Sequence, residues 1–68
     1  MEFPYKGYNV TARSEQQPDG RWLPVADLEI YYGGRTTTKP PLRGQPHEAR
    51  TSQAEADEAA RRMAESWI

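Results

Sequence analysis

The most constraining feature of the chain is an alternating run over residues 21–32, RWLPVADLEIYY. Its even positions are all uncharged, whereas its odd positions include Arg21, Asp27 and Glu29. A period of two with β-branched and aromatic residues is typical of a strand that buries one face. We therefore expect a long strand here, with the rest of the chain arranged to cover its apolar face.

Further strands are predicted on both sides of this run. Apolar residues alternate over about 3–13, with a change of phase at Lys6-Gly7 that we interpret as a bulge or a tight bend. A polar stretch ending in Pro-Asp-Gly then predicts a turn, so the strands at 3–13 and 21–32 should form an antiparallel hairpin. Gly33-Gly34 predicts a second tight turn into a short strand at 35–38.

The C-terminal stretch predicts an amphipathic helix over 52–67, after an irregular proline-rich segment at 39–50. Ser52 and Glu55 have the spacing of a capping box. The expected fold over residues 1–68 is a single α+β domain, in which a three-stranded antiparallel sheet (β-β-β-α) carries one C-terminal helix on one face. The helix stripe expected to pack on the sheet consists of Ala56, Ala59, Ala60, Met63 and Trp67.

Composition excludes several classes of protein. The 68 residues include no Cys, which excludes disulfides and thiolate zinc sites. For a core this small, self-association is the support that remains available. The apolar runs are far shorter than the roughly 20 residues that span a bilayer. The N-terminus has neither the basic start nor the apolar region of a signal peptide. We therefore expect a cytoplasmic protein without membrane contact.

No group of residues predicts catalysis. His47 is the sole histidine and lies in the proline-rich segment of a chain without Cys, so we interpret it as a solvent-facing residue. Asp27 and Glu29 share one strand face, which we interpret as the wet face of a half-buried sheet. Gly33-Gly34 lacks the Lys-Ser/Thr of a phosphate-binding loop. We therefore expect a non-enzymatic protein that needs no cofactor and no metal.

The favoured functional hypothesis is an interaction or regulatory module. Leu23, Val25 and Tyr31 share the odd-numbered face of the central strand with its charged residues. Apolar side chains on a nominally exposed face indicate a surface that is covered by a partner. We expect these three residues to contact a second copy of the chain, in a homodimer, or another protein.

The alternative hypothesis is a nucleic-acid-binding accessory protein. Residues 33–50 carry four basic residues and one acidic residue, a net charge of +3, whereas the whole chain has a net charge of −1. Basic side chains can hold phosphates while a tyrosine stacks on a base, but nucleic-acid modules usually show an overall basic surplus. The candidate contacts are Arg35, Lys39, Arg43 and Arg50.

Both ends of the chain carry residues that support a family resemblance. The chain resembles small uncharacterised β-proteobacterial proteins that begin ME-F-x-Y-K-G-Y, carry D-G-R-W at a hairpin turn and close an Ala-rich helix with W-I. In outline it is also similar to the N-terminal domain of the HicB antitoxins and to double-stranded-RNA-binding folds. These resemblances imply a hairpin-plus-helix fold and no particular activity. The matching residues are Met1 to Phe3, Tyr5 to Tyr8, Asp19 to Trp22, and Trp67-Ile68.

Overall fold

The computed structural model describes all of residues 1–68 as an antiparallel sheet of five strands with one helix on one face. The elements are β1 (Glu2–Tyr5), β2 (Tyr8–Gln16), β3 (Trp22–Tyr32), β4 (Arg35–Thr38), β5 (Leu42–Arg43), a 3-10 helix (Pro46–Glu48) and α1 (Gln53–Trp67). The strand order is β1-β2-β3-β4, and β5 lies beside β3 on the same edge as β4. The α+β class is confirmed, whereas the predicted number of three strands is wrong.

The additional N-terminal strand arises because Lys6-Gly7 forms a hairpin turn, not the predicted bulge or bend within a single strand. Both residues have positive φ, 46° and 84°, which is the geometry of a two-residue turn that matches the twist of the strands. Tyr5 pairs with Tyr8 across this turn, and Glu2 pairs with Thr11 at the far end of β1. The change of phase in the sequence therefore marks a reversal of the chain, after which even-numbered residues occupy the face that odd-numbered residues held before.

The centre of the sheet is β3, which pairs with β2 from Trp22 opposite Gln16 to Ile30 opposite Tyr8. Its other edge is shared by β4 and β5. The predicted Gly33-Gly34 turn into β4 is confirmed. Because cross-strand partners in β2 and β3 are both even or both odd, their even-numbered side chains lie together on the helix face and their odd-numbered side chains on the opposite face.

The segment 39–50 is more ordered than predicted, because its backbone is tied to the edge of β3. Pro24 is accepted near the start of β3 because only its carbonyl is needed on this edge, where the backbone N–H of Gly44 donates to it. The approach is close enough that a Cβ on Gly44 would lie 2.8 Å from Pro24 Cγ. The ties are hydrogen bonds of 2.7 to 2.9 Å, from Lys39 N to Leu28 O, from Gly44 N to Pro24 O, and between Arg50 and Trp22 in both directions.

Helix α1 begins where the capping pattern predicts, since the Ser52 hydroxyl accepts a hydrogen bond from the backbone N–H of Glu55 at 3.1 Å. Its fully buried residues are separated by steps of four and include Ala64, which the predicted stripe omits; they are Ala56, Ala60 and Ala64. The prediction that Trp67 fills the core is wrong, because this side chain is 51% exposed. As the last helical residue it lies at the end of the packed interface, where its ring contacts Tyr8 edge-on with centroids 6.0 Å apart.

The core is built from small side chains, and the largest that is fully buried is Leu28. Because alanines form the buried face of α1, the helix backbone lies close to the sheet, and close packing supplies the attraction between them. The central cluster consists of Val10, Ala26, Leu28 and Ala64, with Phe3, Tyr5, Tyr8, Leu42, Met63 and Ile68 packed around it.

Replacing Ala60 with Leu should lower the free energy of unfolding by about 1–3 kcal/mol, because the added atoms have no space between α1 and the sheet. Urea unfolding followed by circular dichroism measures this loss. Ala54→Leu is the matched control, since Ala54 is an exposed residue of the same helix and Leu is nearly as good a helix former as Ala. An Ala60→Leu protein as stable as the parent would contradict close packing at this position.

Candidate functional site

All four tyrosines of the chain lie at one end of an elongated molecule that measures 43 × 17 × 16 Å. The turns of the β1–β2 and β3–β4 hairpins are both at this end, because Tyr8 pairs with Ile30. Trp67 joins the tyrosines through its edge-on contact with Tyr8. We call this surface the aromatic end and define it as Tyr5, Tyr8, Tyr31, Tyr32 and Trp67.

The aromatic end is the most exposed apolar part of the molecule. Tyr32 is 84% exposed, Tyr31 is 72% exposed and Trp67 is 51% exposed. Tyr5 is half-buried, and the amine of Lys6 lies over its ring at 5.4 Å from the centroid. Exposed aromatic side chains gathered in one place are typical of binding surfaces, because each combines a large apolar body with a polar tip.

The exposure follows from the lengths of the elements. Beyond Ile30, β3 has no partner in β2 and pairs only with β4. Tyr31 and Tyr32 therefore lie in a two-stranded ribbon, opposite Thr36 and Arg35 respectively, and every residue of β4 is exposed. Because successive residues of a strand point to opposite faces, the two tyrosines flank this ribbon on its two sides.

The sequence alone identified Tyr31 as a partner contact, and Tyr31 and Tyr32 as rings beside the basic segment 33–50. Tyr5, Tyr8 and Trp67 were missed, because they were expected to lie within the sheet or its core. The available signal was the change of phase at Lys6-Gly7. A hairpin at that position places Tyr5 and Tyr8 at the same end as the Gly33-Gly34 turn.

The opposite face of the sheet carries an ionic network around Val25. Arg13 and Arg43 occupy the strands on either side of this residue. The guanidinium of Arg13 donates to Asp27 from Nε at 2.6 Å and from Nη2 at 3.4 Å, and to Glu15 from Nη1 at 3.1 Å. Glu15 also pairs with Arg43. The charged side chains thus bridge across Val25, which is fully buried within the single chain.

This network covers part of the surface that Leu23, Val25 and Tyr31 were predicted to present to a partner. Val25 is not exposed, so it presents no surface to a partner. Leu23 is half-buried at the margin of the network. Tyr31 is exposed, but it lies six residues further along β3 and belongs to the aromatic end. The three residues therefore do not form one apolar patch.

The four predicted nucleic-acid contacts do not form one patch either. Arg35 is opposite the last residue of β3 and Arg50 is opposite the first, a separation of about 33 Å along the strand. Arg43 is paired with Glu15 on the face away from the helix, while Lys39 is half-buried. Only Arg35 is near the exposed tyrosines.

A groove of about 960 Å³ runs between α1 and the segment that contains β5. Leu42, Ala59 and Met63 provide apolar lining, and the end of the groove reaches Trp67. Its charged lining residues are balanced, so the groove shows no preference for a ligand of either sign; they are Arg43, Arg50, Arg62, Glu48, Glu55 and Glu58.

The residues considered for catalysis are dispersed in the structure. His47 is exposed in the 3-10 helix, and Asp27 is engaged by Arg13, whereas Glu29 is half-buried without an ion pair to the network. No three His, Asp or Glu residues are grouped in a way that could hold a metal ion. No helix of the protein is both long enough and apolar enough to cross a membrane.

No protein-family model, curated protein or solved structure matches the chain significantly. The resemblances to the β-proteobacterial proteins, to HicB antitoxins and to double-stranded-RNA-binding folds therefore stay predictions. Function is inferred from the surfaces of this chain.

The ionic network predicts a specific dependence of stability on pH. Hydrogen bonds from Arg13 and then Arg43 lower the pKa of Glu15 below its usual value of 4.5. A lowered pKa in the folded state means that Glu15 stabilises the fold above its usual pKa, and that this contribution is lost as the pH falls through the lowered pKa. Acidification should therefore destabilise the parent more than a Glu15→Gln variant, in urea unfolding at neutral and acidic pH.

The matched control is Glu2→Gln, because Glu2 is exposed in edge strand β1, away from the ionic network. It should keep the pH dependence of the parent. An identical pH dependence in the parent and in Glu15→Gln would contradict a stabilising role for this carboxylate.

Proposed function

We propose that the protein is a non-enzymatic interaction module that contacts a protein partner through the aromatic end. The observation that supports this proposal is the exposure of Tyr31, Tyr32 and Trp67, at 72%, 84% and 51%. Tyr and Trp are the residues most often found at the energetic centres of protein interfaces. In a chain of 68 residues, leaving three of them in water is a cost to solubility that binding would offset.

The ribbon geometry suits such a contact. Tyr31 and Tyr32 project from opposite sides of a backbone that is held by the β3–β4 ladder, so little freedom remains to be lost on binding. A partner that surrounds the ribbon would contact both rings. Lys6 and Arg35 are exposed beside the rings and add polar contacts at the margin of this surface.

Single-stranded nucleic acid is the second candidate partner. The observation that favours it is the position of Arg35 directly opposite Tyr32, since a ring that stacks on a base and a cation that holds a phosphate are the two parts of such a site. The net charge of −1 and the separation of Arg35 from Arg50 weigh against it.

Site-specific photocrosslinking in the cells that make the protein tests the proposal. A photoreactive phenylalanine analogue in place of Tyr32 should give discrete protein adducts, because the ring lies in the proposed contact. The matched control carries the same analogue in place of Pro18, which is exposed in the turn at the opposite end of the sheet and should give few adducts.

The identity of the adduct separates the two candidates. Adducts that resist nuclease and contain a second polypeptide support a protein partner, whereas adducts that nuclease removes support nucleic acid instead. Equal adduct yields from the Tyr32 and Pro18 positions, or none from either, would contradict a function for the aromatic end.

A further inference from the structure

The two outer edges of the sheet differ in their capacity to accept another strand. Just before β1, Met1 exchanges two hydrogen bonds with Ala12, of 2.7 and 3.0 Å, so the backbone N–H and C=O groups of the odd-numbered residues of β1 point toward β2. The backbone groups of Glu2 and Pro4 therefore point outward, and Pro4 has no N–H to donate. A proline at this position is a common device that prevents a further strand from pairing with an edge.

The outer edge of β4 has no such block. Lys39 N donates to Leu28 O, so the backbone N–H and C=O groups of residues 35, 37 and 39 point toward β3. By alternation, the N–H and C=O groups of Thr36 and Thr38 point away from the sheet, and both residues are exposed. Two donors and two acceptors in an extended strand form a template for an additional antiparallel strand.

We propose that a second copy of this chain occupies this edge, with β4 pairing antiparallel to the partner's β4 about a twofold axis at Thr36. This inference rests on the proposed function, because it names one partner of the interaction module. At the axis Thr36 exchanges two backbone hydrogen bonds with the partner's Thr36. The two sheets then form one continuous sheet with both helices on the same face.

Charge selects this register. Centring the axis on Thr37 would place Arg35 directly opposite the partner's Lys39, and like charges in that position destabilise a pair of strands. Centring the axis on Thr36 places Arg35 opposite the partner's Thr37 instead. On the other face, Tyr31 lies in the same cross-strand row as Thr36, so the tyrosines of the two copies flank the central pair of threonines.

Pro4 also limits how far the assembly grows. Because its edge is blocked, the sheet extends through β4 alone, and pairing of β4 with β4 uses that edge in both copies. The arrangement therefore closes as a dimer and does not propagate as a fibre. Pro40 and Pro41 follow β4 and confine the pairing to this short strand.

Sedimentation equilibrium over a range of concentrations tests the dimer with substitutions at Thr36. Thr36→Pro removes the outward N–H while leaving the ladder to β3 intact, so its mass should fall twofold to that of the monomer. Thr36→Lys keeps the N–H but places two charges side by side at the axis, and it should also be monomeric. Thr36→Val, which preserves both the N–H and the branched shape, should remain dimeric like the parent.

Circular dichroism tests whether each variant is folded. If Thr36→Pro is unfolded, the mass of the Thr36→Lys variant tests the dimer instead. A parent that stays monomeric at its highest soluble concentration overturns the inference, as does a Thr36→Lys protein that still dimerises. Tyr32 crosslinks to other polypeptides combined with a monomeric parent would refute the dimer and leave the proposed function standing. Loss of all Tyr32-specific crosslinks would refute the proposed function itself.

Discussion

The contact between the alanine face of α1 and the β2–β3 pair is the interaction on which the rest of the structure depends. The chain has no cysteine and therefore no disulfide, so its tertiary structure is held by non-covalent contacts. Ala56, Ala60 and Ala64 have no bulk to fill space, and their contribution is to bring the helix backbone close to Val10 and Leu28. Stability then comes from many short contacts and not from a few large buried side chains.

The length of this contact also determines which part of β3 remains exposed. A helix of 15 residues is about 22 Å long, whereas the 11 residues of β3 extend over about 36 Å. The helix cannot cover the strand, and the last two residues of β3 continue into a ribbon paired only with β4. Tyr32, on the helix face, is exposed for this reason. On the opposite face Tyr31 is exposed in the ribbon, while Arg13, Glu15 and Arg43 cover the apolar centre with charge.

Much of the architecture could be predicted from local signals in the sequence. The uncharged even positions identified β3, Gly33-Gly34 identified the turn into β4, and Ser52 identified the start of α1, because each signal is local and strong. The Lys6-Gly7 turn was misread because a bulge and a two-residue hairpin both change the phase of an alternating pattern. The strand β5 was missed because two residues carry no periodicity and its pairing with β3 is a long-range event.

The candidate site was harder to predict for the same reason. The position of Trp67 depends on how closely α1 approaches the sheet and where the packed interface ends. The helical period determines neither, although it places Trp67 on the stripe that was expected to pack on the sheet. The burial of Val25 depends on arginines from two other strands meeting over it. Surfaces formed by residues distant in sequence are properties of the assembled sheet, and local patterns do not contain them.

Native-state hydrogen exchange tests the central contact most directly. If the alanine face joins helix and sheet into one cooperative unit, the amides of Ala60 and Ala64 should open with the same free energy as those of Val25 and Asp27 in β3. The free energies of opening of both groups of amides should then decrease equally as low concentrations of denaturant are added. Helix amides that exchange at a much lower free energy than the β3 amides would show that α1 detaches by itself, and would contradict the dependence of the fold on this contact.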